Sequence, residues 1–402
     1  MASWEIPGLG SDGDNRFLPG LARPRVVLPV ATAVVVTVAA LSAVAGVGPL
    51  ATSGGGPVLG NADTDQQRPA VVSVSGNRTV TVEYVLESGD TERFVVDGVR
   101  PELSDEEHGW AIVDREELPP VLERAGDPQA RGSAEPDRSD ADVAAGAVDA
   151  GVVTFGQYAL VGEISASTRR AGDSSVTVVV PAGRDVDPAR KSYFLSEYVS
   201  PYALGAGGSD VTIVAVPDAL SHRGLMYGDD AGYVTVDWFW DGGIGSVWIH
   251  EYVHARQEFT TACEMTWFRE SSAEYLSFRI MEEQHPDLTD REVRERLDSL
   301  PEHREVSLAN CSRETARNVD YTRGVRLLYA VDAAIRTGSD GEHTLFDVFR
   351  AMNGREEPVT VEEFRRLVER YSGEDQPWID PAVADPGEMD RYRGYEGAFS
   401  GE

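Results

Sequence analysis

His250-Glu251-Tyr252-Val253-His254 is the segment of this 402-residue chain with the most definite chemistry. On a helix, residues four apart share one face, so the two imidazoles stand one turn apart and can hold a single zinc ion. Glu251 lies beside that face, placed to take a proton from a water that the metal activates. Gly242-Gly243-Ile244-Gly245-Ser246 precedes the segment, and Ser246 is the expected helix cap. A hydrolytic zinc needs a third protein ligand and an open position for water.

Downstream lies Trp267-Phe268-Arg269-Glu270-Ser271-Ser272-Ala273-Glu274-Tyr275. With the preceding pentapeptide it resembles the gluzincin metallopeptidases, in which a second helix supplies a glutamate ligand from a Trp-Leu-Asn-Glu-Gly-Phe-Ala-Glu-Tyr-like segment. The resemblance puts Glu270 on the ligand position. Glu274, one turn later, falls where a carboxylate supports the first zinc histidine from behind. Fifteen residues separate His254 from Glu270, a short connection, and Ser271 replaces the usual glycine. Glu274 therefore stays open as the alternative ligand.

Asp320-Tyr321-Thr322-Arg323-Gly324, the run Val325–Arg336 and the segment Thr344–Arg350 follow. They resemble the tyrosine-bearing helix and next helix start of aminopeptidases of the membrane-alanyl and glycyl type. Tyr321 takes the position whose hydroxyl stabilises the oxyanion of the tetrahedral intermediate, and Arg323 replaces a lysine. The resemblance spans about residues 220–372. It implies a thermolysin-like fold, a zinc cofactor, a peptide or protein substrate, and Glu251 as general base. Those aminopeptidases grip a free α-amino group with a glutamate on the strand before the zinc helix. Here Tyr227 stands at that place, within Arg223–Asp230, and Asp229 or Asp230 is the candidate substitute. The expected activity is thus metallopeptidase, with exopeptidase and endopeptidase both open. A second reading is a zinc-holding but inactive surface or sensor protein. The presence of Glu251, which binding does not need, argues against it.

These residues need a scaffold of an α+β kind. Residues 71–89 alternate apolar and polar around a Gly-Asn break and predict a β-hairpin, and residues 152–183 have the same texture. Between them, 126–149 is rich in Ala, Asp, Gly and Pro and reads as a mobile loop. Residues 69–185 are therefore expected to form a small, mostly β domain. From Asp187 a helical stretch, two strand-like runs (Val211–Pro217 and Gly232–Trp240) and then helical periods predict a catalytic domain over 186–376, with a mixed β lobe and a helical lobe. Residues 377–402 read as a ragged acidic tail.

Ahead of all this, no charge occurs from Val26 to Thr52. About 20 apolar residues cross a bilayer as a helix. Residues 26–51 are thus expected to be a single transmembrane anchor, followed by a Gly-rich linker over 52–68. Arg16, Arg23 and Arg25 precede the run, so residues 1–25 are expected in the cytoplasm and the catalytic domain outside it, at the cell membrane. A cleaved signal peptide ending near Ala43-Val44-Ala45 is the rival reading.

The chain holds two cysteines, Cys263 and Cys311, an even count suited to an oxidising exterior. Cys263 lies between the two ligand helices and Cys311 ten residues before Tyr321. Both segments must approach one metal, so the order of elements predicts a disulfide between them; two unrelated thiols are the alternative. The formal net charge of −32 excludes nucleic acid as a partner, because phosphates would be repelled. Among 36 basic residues only Lys191 is a lysine, a composition that resembles proteins of salt-loving archaea.

Overall fold

The computed structural model describes residues 70–385, apart from 77, 87, 127–150, 206–209, 219, 221, 229, 236–243, 286–287, 302, 304–305 and 312–318. The expected anchor at 26–51, the linker at 52–68 and all of the loop expected at 126–149 except Gly126, which ends a helix, lie outside the described residues. Among the described residues no helix is long and apolar enough to cross a membrane.

Twelve strands are described, in three sheets. β1 (Ala70–Ser75), β2 (Thr79–Val85) and β3 (Thr91–Asp97) form an antiparallel meander. Its first turn uses Gly76 at φ 88°, a left-handed conformation that glycine adopts without a Cβ penalty. β4 (Ser104–Asp105), β5 (Trp110–Asp114), β6 (Val152–Phe155) and β7 (Tyr158–Gly162) make an antiparallel sheet in the order β4-β5-β7-β6. The third sheet joins β8 (Ile164–Ala171), β9 (Ser174–Pro181), β10 (Val211–Val216), β11 (Gly224–Tyr227) and β12 (Ala231–Thr235) in the order β11-β12-β10-β9-β8. β10 runs parallel to both neighbours, while β11 and β8 are antiparallel edges.

The central strand β10 is buried on both faces, and this explains its unbroken apolar run. Val211, Ile213 and Ala215 face one core, shared with the helices, and Val214 and Val216 face the other, shared with the two smaller sheets. β8 and β9 precede residue 186 yet belong to this sheet, so the boundary expected at 185/186 falls inside one structural layer. Texture misplaced it because strands of one sheet can be contributed from either side of a long connection.

The helices follow: α1 (Pro120–Gly126), α2 (Pro188–Phe194), α3 (Val247–His254), α4 (Trp267–Gln284), α5 (Asp290–Ser299), α6 (Val325–Gly338), α7 (Leu345–Asn353), α8 (Val361–Ser372) and α9 (Ile379–Ala384). The last falls in the described part, 377–385, of the segment 377–402 read as a ragged tail, whose remainder lies outside the described residues. Ile379, Ala382 and Val383 are buried against the helical core, which orders this short segment despite its acidic surroundings. Buried Asp332 of α6 accepts hydrogen bonds from the Leu345 amide (2.6 Å) and the Tyr275 hydroxyl (2.8 Å). It thereby ties α6 to the start of α7 and to α4.

Candidate metal centre

His250 and His254 project from α3 with their Nε2 atoms 3.0 Å apart. One Glu270 oxygen, from the first turn of α4, lies 3.2 Å from His254 Nε2 and 3.5 Å from His250 Nε2. These three residues offer donor atoms that all lie within 4.8 Å of one another. Ser246 occupies the N-cap of α3, but its side chain makes no capping bond. Instead the Ser277 hydroxyl of α4 accepts from the Ser246 amide at 2.8 Å and donates to its carbonyl at 3.1 Å. The helix start is therefore fixed by the neighbouring helix, which also carries Glu270.

The far nitrogen of each imidazole decides which way its lone pair points. His250 Nδ1 donates to Glu274 at 3.1 Å. His254 Nδ1 donates to the Gln257 side-chain carbonyl at 3.0 Å. The Gln257 amide nitrogen is itself committed, to the Arg269 carbonyl at 2.7 Å and the Ser272 hydroxyl at 3.0 Å, so the amide presents its oxygen to the imidazole. Both Nε2 lone pairs then face Glu270 and each other. Three acceptors pointed at one small volume require a cation between them, and the His, His, carboxylate set suits zinc. Proton affinity points the same way. Burial alone would lower the His250 pKa, but the Glu270 and Glu274 carboxylates outweigh it and carry it to about 10. The two histidines in turn outweigh burial at Glu270 and hold its carboxyl well below the usual range. An environment this favourable to a proton also favours a metal ion, which competes for the same lone pairs.

Glu251 is buried, and one of its oxygens has no hydrogen-bond partner. Burial raises its pKa first, the histidine charges oppose the rise, and the Met226 amide donates to it. Gly224 of the edge strand β11 lies directly over this carboxylate: a Cβ there would sit 2.3 Å from Glu251 Oε1. Only glycine allows that approach. The unpartnered oxygen is the acceptor that a reacting water would need.

Tyr321 lies on a π-turn, Asp320–Gly324, that leads into α6. Its ring stacks on His250 with centroids 5.8 Å apart and planes at 18°. Its hydroxyl donates to Glu270. Desolvation and then the Glu270 charge push the phenol above its ordinary pKa, so it remains a proton donor. The residue is still 38% exposed. The turn is held by Arg323, buried, whose guanidinium donates to the carbonyls of Val306, Ala382 (2.8 Å) and Asp385 (2.8 Å). Cys263 and Cys311 form a disulfide with Cα atoms 5.4 Å apart, linking the approach to α4 with the segment ahead of the tyrosine.

The structure thus brings His250, Glu251, His254, Glu270, Glu274 and Tyr321 together. Tyr227 goes elsewhere. Leu225 and Tyr227 of β11 pack on the core side shared with the small sheets, while Met226 packs on the helical side. The Tyr227 ring lies where a Cβ on Gly156 would be, and burial lifts its pKa to about 12. Asp229 is outside the described residues, and Asp230 is half-buried. Gln257 escaped the sequence reading. Its only signal was an amide three residues after a metal-type histidine, a spacing that meets that histidine only where the chain turns out of α3.

No family model matches the sequence, and no curated protein matches it. Solved structures similar to it include an aminopeptidase N family protein from Idiomarina loihiensis, 12% identical over 78% of this chain and 60% of that one, with a TM-score of 0.47. An M1 zinc metallopeptidase from Deinococcus radiodurans, solved with a Tyr-Ser-Ala substrate, is 17% identical over 79% of this chain and 84% of that one, at 0.42. Legionella pneumophila aminopeptidase A, solved with aspartic acid, is 11% identical over 80% of this chain and 45% of that one, also at 0.42. The chain spans less than two thirds of the first and third of these proteins. Likeness at this level assigns neither a family nor an activity.

Proposed function

We propose that the chain is a zinc-dependent peptidase of gluzincin type, with Glu251 as general base and Tyr321 as oxyanion donor. The observation that carries this reading is the convergence of His250, His254 and Glu270 beside a buried carboxylate with one unpartnered oxygen. His250, His254 and Glu270 would hold the metal. Zinc, when bound, supplies a Lewis acid that polarises a carbonyl and makes water acidic near neutral pH. Glu251 takes up the proton, and its raised pKa suits it to pass that proton to the departing amine. Tyr321 donates its hydroxyl hydrogen to the oxygen that becomes negative as the carbonyl carbon turns tetrahedral. Glu274 and Gln257 hold the imidazoles in the ligating tautomer.

The substrate class is a peptide or protein, and nucleic acid is excluded by charge. The uncharged run from Val26 to Thr52 supports an anchored protein with its catalytic part outside the cytoplasm. Protease treatment of intact cells checks this: a protected catalytic part overturns it. The activity is tested with zinc-loaded protein on a mixed peptide library. Hydrolysis that stops on chelation and returns with zinc supports the reading, and zinc binding without turnover would favour the sensor alternative.

A further inference from the structure

Tyr321 sits in a π-turn, Asp320–Gly324, where the backbone widens by one residue per turn, a feature frequent at functional sites. Two residues hold it, Arg323 within the turn and Ser271 on α4. Arg323 spends its guanidinium on three main-chain carbonyls, at Val306, Ala382 and Asp385. Two of these carbonyls belong to α9 and the residue that follows it, so the end of the described chain braces the turn. Ser271, the residue after Glu270, shares its hydroxyl proton between the Asp320 carbonyl at 2.7 Å, immediately before the tyrosine, and the Trp267 carbonyl of its own helix at 2.8 Å. Gly324 closes against the same serine: a Cβ there would fall 1.9 Å from Ser271 Oγ. The turn is thereby clamped from both ends, on one side to the helix that carries Glu270.

We infer that Arg323, assisted by Ser271, is a positioning residue that sets the turnover rate through Tyr321, holding the phenol over the metal cluster. This rests on the peptidase reading above. An arginine serves here because its rigid planar fork spreads its donors over carbonyls of three separate residues, whereas an ammonium holds its three donors on one compact nitrogen. Misplacing a reacting group by about 1 Å can cost ~100-fold in rate, so the effect is measurable without loss of the fold.

The experiment is a double-mutant cycle on the full zinc-loaded protein, using Arg323→Met, Arg323→Lys and Tyr321→Phe. Arg323→Met is expected to lower kcat by about 10- to 100-fold, with KM and zinc content unchanged. Arg323→Lys should recover part of the loss. In the Tyr321→Phe background Arg323→Met should do nothing more, because its effect passes through the missing hydroxyl. Calorimetric binding of a peptide phosphonate, whose tetrahedral oxygens mimic the oxyanion, should weaken in step. If Arg323→Met fails to fold, Ser271→Ala tests the other end of the clamp in the same cycle. Equal losses in both backgrounds, or loss of zinc with the rate, would overturn the inference. A wild-type protein that neither hydrolyses peptides nor binds the phosphonate would instead overturn the peptidase reading.

Discussion

His250 and His254 reach the metal cluster by helix periodicity, four residues apart on α3, whereas Tyr321 reaches it through contacts with segments far away in the chain. The histidine side needs little beyond the helix itself: Glu274 and Gln257 orient rings that already share a face. The tyrosine side depends on Ser271, on carbonyls at Val306, Ala382 and Asp385, and on a disulfide to residue 263. The contrast teaches that binding and rate are supported by separate parts of one site. Damage to the helix side should remove metal, and damage to the tyrosine side should leave metal and slow the reaction. Glu251 belongs to the helix side by position and to the rate by chemistry, so it is the strongest test of the division.

The largest effect is expected from Glu251→Gln. General acid–base groups contribute about 10²–10⁴-fold. Turnover should fall by about that factor while zinc analysis still gives one ion per chain. Loss of zinc instead would place Glu251 among the ligands and break the division. Next comes Tyr321→Phe. Removing a single oxyanion donor costs about 10²–10³-fold in kcat. Zinc retention should be unchanged, measured under graded chelator; weaker retention would mean that the Glu270–tyrosine bond, and not the phenol's action on substrate, is its main service.

The cysteine pair offers a test on stability. A bridge closing a loop of this length (sequence separation 48) is worth about 2–4 kcal/mol, the upper end coming from loop entropy. Cys263→Ser with Cys311→Ser should lower the unfolding midpoint accordingly and reduce kcat more than metal affinity, since the bridge leads to the tyrosine segment. A variant that loses zinc and keeps its rate constant would reverse the comparison. Smaller again, Glu274→Gln and Gln257→Leu should each weaken zinc binding by about 10–100-fold, the range typical of groups that orient a ligand. Glu270→Ala should weaken it more than either. If Glu274→Ala proved worse than Glu270→Ala, the ligand assignment would move one helical turn.

The same division explains what was legible in the sequence. Spacing placed His250, Glu251 and His254, because helix geometry converts residue number directly into direction. Glu270 and Tyr321 became visible only through resemblance, since their positions are set by packing between α3, α4 and the π-turn. Gln257 stayed invisible, because its reach to His254 depends on how the chain leaves α3. At the level of fold, the alternation of β2 was readable, as every second residue along it is buried. The five-stranded sheet was split at residue 186 because its strands come from both sides of the long connection that carries α2, and α9 was hidden by acidic neighbours.

The smallest effect concerns the back of the histidine helix. Lys191, on α2, lies over the Trp248 ring of α3 at 5.3 Å from its centroid. Burial, reinforced slightly by Arg190, lowers its pKa from 10.5 to about 8. The folded state therefore holds fewer protons than the unfolded chain between those two values. Stability should rise as pH climbs from about 8 towards 10.5, and below pH 8 the cost of burying the ammonium is present in full. Lys191→Met should remove that cost. Allowing for the lost cation–π contact and for partial solvation, the gain at pH 7 should be about 1 kcal/mol, and the rise of stability above pH 8 should flatten. Denaturant midpoints at pH 7 and pH 10 measure both. Zinc affinity and kcat should stay where they are, because the spacing of the two imidazoles is internal to α3. If Lys191→Met shifted zinc affinity, the histidine pair would depend on packing from behind as Tyr321 does, and the contrast between the two sides would fail at its simplest point.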